Sequence, residues 1–361
     1  MKYRQTTILA RTDLGAAGTK TIDINLTDVI SRIEITFEGY VDGTQATQWA
    51  ANISRIELVD GSEVLFSLTG MEAQALNIYS RKCPTMQGPF SCGGNYWLGT
   101  FAIDFGRFLY DPVLAFDPTK FNNPQLKITY DEDAAFTATE TSYTEVTAFV
   151  FDELVVSPVG FLMAKEHHSY TPTANNAYEY IDLPTDMPIR QILVRAFLSG
   201  KCPDTVVDEI RISEDNDKRV VLDTELTRYV KRMCGVWPQI HELFEEYATV
   251  VTSTTYYRYF TPTSEFSSAI ASPRTGFKVF ANEDSMRGGY LQWHGEDGIM
   301  FCGHIHGWLP LHCIQFPFGL SDEIDSWYDV QNKGSVRMRL LSAGDYSGSV
   351  VSTVLEQLRR Y

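Results

Sequence analysis

Apolar residues alternate with polar ones in short runs along the chain: Ile22, Ile24 and Leu26, then Ile33, Ile35 and Phe37, then Ile56 and Leu58, then Val64-Leu65-Phe66. Period-two alternation bounded by turn residues predicts half-buried β-strands. One stretch departs from it. Over Thr69–Lys82, Met71, Ala75, Leu76 and Tyr79 share one stripe at helical spacing, which predicts a helix. Beyond a Pro/Gly/Cys-rich loop from Cys83 to Gly94, strands are predicted at Trp97–Phe105, Gln125–Tyr130 and Thr144–Leu154, giving about eight strands in roughly 150 residues.

The block Ile53–Pro84 returns in degraded form as Val207–Pro238, with the same order of strand, polar turn, strand, helix, Cys and Pro. The flanks return too. Ile30, Ile33 and Ile35 match Ile189, Ile192 and Val194 at a spacing of 159. Trp97 to Gly106 matches Trp308 to Gly319 at 211 rising to 213, Leu126 onward matches Val336 onward at 210, and Val150–Leu154 matches Val354–Leu358 at 204. Spacings of 154–159 that later exceed 200 imply a tandem duplication with one large insertion in the second copy. The reading divides the chain into residues 1–157, a connection 158–177 with a short helix at Phe161–His167, and residues 178–361 with an insertion over about 241–303. A structureless loop that long would be improbable, so the insertion is expected to carry its own strands, to protrude from one end, and to tolerate a tag near Ser267–Arg274.

Composition then narrows the class. The 361 residues are 44% hydrophobic, enough to bury two cores. A formal charge of −16 opposes sequence-specific nucleic-acid binding, which needs clustered Lys and Arg. The six cysteines (Cys83, Cys92, Cys202, Cys234, Cys302, Cys313) form no CxxC pair and read as buried thiols made in a reducing cytoplasm. No signal-peptide core and no run of 18 apolar residues is present, so neither secretion by signal peptide nor a spanning helix is expected. The segment Met1–Ala17 carries Lys2, Arg4 and Arg11 with no acid in its first 11 residues. It reads as a mobile arm, either drawn to an anionic lipid surface or folded on a neighbouring subunit through Tyr3, Ile8 and Leu9.

An eight-stranded antiparallel unit of this size without βαβ alternation is most economically a jelly roll, and the chain is all-β with two in tandem. IELVDGSEVLFSLTGMEAQALNIY, and FAIDFGRFLYDPVLAFDPTKFNNPQLKITYDED with its "LAF" corner, resemble segments of the double jelly-roll major capsid proteins of the adenovirus and membrane-containing tailless bacteriophage lineage. The second copy departs: Asp215-Asn216-Asp217 replaces the Asp-Gly turn and no second "LAF" corner is visible. The resemblance implies a structural virion protein, not an enzyme. It implies homotrimeric pseudo-hexameric capsomers with contacts above roughly 2,000 Å² per interface, tiling an icosahedral shell built in the host cytoplasm. The implied partners are neighbouring capsomers, penton or vertex and minor capsid proteins, and an internal lipid membrane.

Chemical motifs were weighed against that reading. His304 and His306 in GHIHGW alternate onto one strand face with His312 nearby, but no carboxylate follows as in cupins, so they read as core or interface histidines. His167 and His168 are adjacent and would point to opposite faces. Asp104 and Asp111 read as surface turn acids rather than a glycosidase pair. No GxSxG, P-loop or GxGxxG is present, and no catalytic, cofactor or metal residue is assigned. The alternative is a two-domain jelly-roll enzyme, a bicupin or a glycan amidase, which a metal or a convergent polar cleft between the domains would reveal.

Overall fold

The structure is a computed structural model that describes residues 2–41, 46–85, 87–89, 96–136, 139–247, 256–273, 288–294 and 300–361. The first unit contains Tyr3–Asp13 (β1), Ala17–Asp23 (β2), Ile30–Val41 (β3), Ile53–Asp60 (β4), Glu63–Leu68 (β5), the helix Gly70–Arg81 (α1), Gln87–Pro89 (β6), Tyr96–Asp104 (β7), Pro124–Asp131 (β8) and Thr139–Phe151 (β9). These strands form one sheet ordered β1-β9-β3-β7-β6 and a facing run β2-β8-β4-β5. The second unit contains Gly160–Tyr170 (β10), Tyr178–Leu183 (β11), Ile189–Phe197 (β12), the short helix Pro203–Val206 (α2), Val207–Glu214 (β13), Arg219–Glu225 (β14) and the helix Leu226–Met233 (α3). An excursion follows: Ile240–Tyr247 (β15), Tyr256–Phe260 (β16), Thr263–Pro273 (β17), Tyr290–His294 (β18) and Met300–Pro310 (β19). Cys313–Pro317 (β20), Val336–Ser342 (β21) and Val350–Arg360 (β22) complete the chain.

The second unit repeats the first strand for strand. β10-β22-β12-β20 has the order of β1-β9-β3-β7, and β11-β21-β13-β14 that of β2-β8-β4-β5. The irregularities repeat as well. The bulge between Thr7 and Leu9 recurs 159 residues on between Glu166 and His168, and that between Ile30 and Arg32 recurs 159 on between Ile189 and Gln191. The bulges at Ile53/Arg55 and Leu58/Val59 recur 154 on at Val207/Glu209 and Ile212/Ser213. A bulge is a discrete two-against-one insertion, so four in matching places are hard to produce except by duplication.

Several expectations need correction. Residues 158–177 are not a connection with a helix: Phe161–His167 lies in β10, the first strand of the second unit, which therefore starts near Gly160 rather than Tyr178. Met1–Ala17 is not a mobile arm, because Tyr3–Asp13 pairs along β9, with Ile8 and Leu9 packed on the core of the same chain. Arg4 is held by Asp28 and Asp152 and Arg11 by Glu38, which neutralises two of the three basic charges locally. The "LAF" corner has its counterpart: Ile30 exchanges backbone hydrogen bonds with Phe116, and Ile189 does so with Tyr328. Strand pairing sets the later spacings at 213 (Phe101 to Ile314), 212 (Leu126 to Met338) and 207 (Ala148 to Leu355), so the matches at 210 and 204 were out of register.

The turns explain themselves chemically. Gly61 is left-handed at φ 59, and in the second copy Asp215, Asn216 and Asp217 take φ 50, 57 and 65, as Asn and Asp tolerate better than other side chains. Asp60 accepts backbone N–H bonds from Asn122 and Asn123 just before β8, and Asp215 accepts the same from Gly334 and Ser335 just before β21.

Inside the first unit Trp49, fully buried, plugs the barrel end and donates Nε1–H to Phe37 O at 3.2 Å. Gly39 and Gly99 make room for it: a Cβ at either would sit 2.8 or 2.7 Å from the ring. Helix α1 opens with a capping box, in which Thr69 Oγ1 accepts from Glu72 N and Glu72 accepts from Thr69 N. Thr69→Ala removes one half of it and is expected to lower stability by about 1–2 kcal/mol, read as a fall in thermal midpoint.

Candidate assembly interface

The two units meet at one seam. Their facing runs fuse into an eight-stranded sheet through a parallel link, Ser67 on β5 opposite Lys165 on β10. Ion pairs flank it. Arg359 holds Glu63, and its hydrogen bond keeps that carboxyl below the usual carboxylate range; Arg55 lies 3.5 Å from Glu166. Helix α1 covers the seam and is buried from Gly70 to Tyr79. Its polar side chains all find partners across or along it. Asn77 bonds both the N–H and C=O of Ala102 on β7, closing that strand against further pairing. Glu72 accepts from Ser352, and Tyr79 OH donates to Cys313 O at 2.7 Å in the second unit. At the far end Arg107 Nη1 donates to Asp322 O at 2.6 Å, while Tyr361 OH donates to Ala115 O at 2.8 Å.

The opposite edges carry the same elements uncovered. β14 and β1 end their sheets. Next to β14, α3 occupies the place of α1 yet buries only Leu226, Tyr229 and Val230. The side chains of Arg219 and Arg228 there are 66% and 75% exposed, joined to Glu214 and Glu225 by exposed contacts worth little.

The residues singled out by sequence scatter. Asp104 and Asp111 are not surface turn acids. Asp104 binds Arg32, Arg81 and Asn77, and Asp111 is fully buried. Burial pushes Asp111 up, but the Arg107 guanidinium and the N–H groups of Val113 and Arg107 outweigh it and leave the carboxyl below its ordinary value. His167 bonds Asp182 O at 2.9 Å and His168 bonds Glu179 at 2.8 Å, so each is tied separately to β11. His312 does not join His304 and His306: it is buried at the base of the excursion, bonded to Gly288 O at 3.0 Å. His241, which the sequence gave no reason to single out, does join them. Desolvation, then the imidazoles of His304 and His241, hold His306 below its ordinary value. Cys202 and Cys313 are buried, but Cys83 is exposed and Cys234 half-buried; Cys92 and the side chain of Cys302 lie outside the described residues. Ser267–Pro273 is part of β17, with Ala271 opposite Gly303, and is not a loop open to insertion; Arg274 lies outside the described residues. No helix among the described residues is long and apolar enough to cross a membrane.

Compared with protein-family models and with curated proteins, the sequence has no match. Solved structures do match. The major capsid protein of bacteriophage PM2 superposes with a TM-score of 0.56 at 11% identity over 99% of this chain and 98% of that one. The major capsid protein of Sulfolobus turreted icosahedral virus gives 0.62 at 11% over 100% and 98%. The VP54 protein of PBCV-1 gives 0.54 at 10% over 99% and 93%. The chain has the double jelly-roll fold of these viral proteins. In the double jelly roll the seam described above is the contact between the two barrels of one chain. Identity this low carries the fold alone.

Proposed function

We propose that this double jelly roll is a major capsid protein, and that three copies close into a ring of six barrels, a pseudo-hexagonal capsomer that tiles an icosahedral shell in the virion. Neighbouring capsomers and vertex proteins would be its further partners. One observation carries the reading: the edges left open, β14 and β1, are the repeat equivalents of β5 and β10, which already pair inside the chain. A second copy can therefore reproduce the internal seam between chains, and alternation of first and second barrels closes the ring.

The charges support that docking. By the repeat spacings, Glu63 corresponds to Arg219 (63↔60 in one hairpin, 219↔214 in the other) and Arg359, opposite Phe161, corresponds to Asp152, next to Lys2. The pair Glu63–Arg359 inside the chain thus becomes Arg219 facing Asp152 of the next copy, with signs exchanged and attraction kept. Likewise, with Thr69 and Glu225 as equivalent N-caps, Glu72–Ser352 becomes Arg228 facing Glu145. Such pairs set register and partner more than affinity.

Sedimentation at micromolar concentration is expected to give trimer without monomer. Arg219→Asp alone and Asp152→Arg alone are each expected to weaken the trimer by about tenfold or more, and the double exchange to restore it. A stable wild-type monomer would refute the assembly, and unchanged association of both single variants would refute this docking.

A further inference from the structure

The excursion begins with β15 and ends with β19, and these two strands pair with each other. His241 on β15 stands directly opposite His306 on β19. His304 lies two residues before His306, hence on the same face of the strand. The result is three imidazoles gathered on one face of a two-strand ladder. The rings of His241 and His306 are 4.3 Å apart, those of His304 and His306 3.8 Å apart, and His304 Nδ1 lies 2.8 Å from His306 Nε2. One ring nitrogen from each of the three falls within 4.8 Å of the others.

We propose that His241, His304 and His306 form a site for a borderline transition-metal ion, Zn²⁺, Co²⁺, Ni²⁺ or Cu²⁺, which staples the first strand of the excursion to the last. Three neutral imidazoles without a carboxylate suit these ions and not Mg²⁺ or Ca²⁺, which take oxygen ligands. A metal–nitrogen distance of about 2.05 Å in a tetrahedral site sets ligand nitrogens roughly 3.3 Å apart. The observed spacing brackets that value, so small side-chain rotations reach it while the ladder stays in place. The fourth position opens outward, since His241 is exposed, and takes water or a group from another molecule.

The placement also says what the ion does. Residues 242–303 form a closed excursion, and an ion held by its two ends restricts the opened states most strongly when the loop it closes is long. A hydrogen-bonded histidine cluster with no metal role is the alternative, and it predicts no saturable uptake. The inference rests on the β15–β19 ladder alone, so it stands or falls independently of trimer formation.

The test uses the full chain stripped with EDTA and then titrated with Co²⁺, followed by visible absorption, and with Zn²⁺, followed by calorimetry. One ion per chain is expected. His241→Ala and His306→Ala should each weaken binding by about 100-fold, whereas His167→Ala, whose ring is tied to Asp182, should leave it unchanged. Zn²⁺ should slow proteolysis between residues 241 and 304 in the wild type and not in either cluster variant. The more conservative His241→Gln and His306→Gln guard against misfolding, judged by thermal midpoints without metal. Absence of one-to-one uptake by the wild type, or full affinity in a folded His241 variant, would overturn the proposal.

Discussion

Glu356→Ala is expected to cost about 3–5 kcal/mol, enough to bring a domain of ordinary stability to the edge of unfolding. The reason lies in what it leaves behind. Glu356 sits on β22, in the middle of the eight-stranded sheet, and its side chain and that of Arg190 on β12 are each 4% exposed. Glu356 accepts from Arg190 Nη1 at 2.8 Å and from Gln191 Nε2 at 2.5 Å. Arg190 also donates to Ser321 at 2.7 Å and lies over the Trp327 ring, so it cannot swing out to water without breaking the packing of that corner. Removing the carboxylate strands a guanidinium that cannot lose its proton. The paired change Arg190→Met with Glu356→Leu removes both charges and is expected to cost far less, since a well-packed apolar pair does about as well as a buried ion pair. Guanidinium melts of the wild type and the two variants decide it. If the single variant were no worse than the double one, the stranded charge would not be the cause.

The repeat was legible where a strand buries one face or a helix has a cap. β3, β4, β5 and α1 all lie where alternation, turn residues and the Thr69 cap put them. The strand that was missed is the same one in both units, for two opposite reasons. β1 holds mostly Arg, Thr and Gln and is only partly buried along its length, so it lacks an apolar stripe. β10 begins with five buried residues in succession, Gly160 to Ala164, because it runs in the middle of a sheet covered on both faces. A short apolar run without alternation cannot be told from a helix by period. The same two-sided burial along β22 explains the register error of 204 against 207, because nothing in its pattern marks which face is which. Tyr328 hid the second corner because it does the work of Phe116 through backbone hydrogen bonds rather than side-chain identity.

The histidine cluster was legible only in part, and for a geometric reason. His304 and His306 announce themselves by their spacing, whereas His241 is 63 residues earlier and is placed by cross-strand pairing that no local pattern encodes. The nearest histidine in sequence, His312, is misleading. Leu309, Leu311 and His312 all take positive φ, which breaks the chain between β19 and β20 and turns His312 inward. The arginines of the open edge were hidden for the same kind of reason. Arg219 and Arg228 look like ordinary surface charge until the strand orders show which edge they stand on.

That inward turn leads to an expected acid sensitivity. His312 is fully buried at the junction of the excursion with the second barrel; its backbone N–H bonds Ser264 Oγ at 2.9 Å and its Nε2 faces Gly288 O at 3.0 Å. A carbonyl partner assigns the proton to Nε2, which leaves Nδ1 buried without a partner. Burial, and then the neighbouring Arg195 guanidinium, push the imidazolium down to about 3 from 6.5. The folded state therefore keeps His312 neutral, while an unfolded chain takes up the proton below pH 6.5. The stabilisation is fully present above pH 6.5 and is lost as pH falls from there towards 3, at up to about 1.4 kcal/mol per unit and about 4–5 kcal/mol in all. Carboxylates elsewhere add their own acid loss, so the contribution of His312 is read as a difference. His312→Gln keeps an amide N–H within reach of Gly288 O but cannot be protonated. It is expected to be less stable than the wild type at pH 7.5 and to converge on it, or pass it, by pH 4. Denaturant melts at half-unit steps of pH measure both curves, and two curves that run parallel from pH 7.5 to 4 would show that His312 does not carry the acid response.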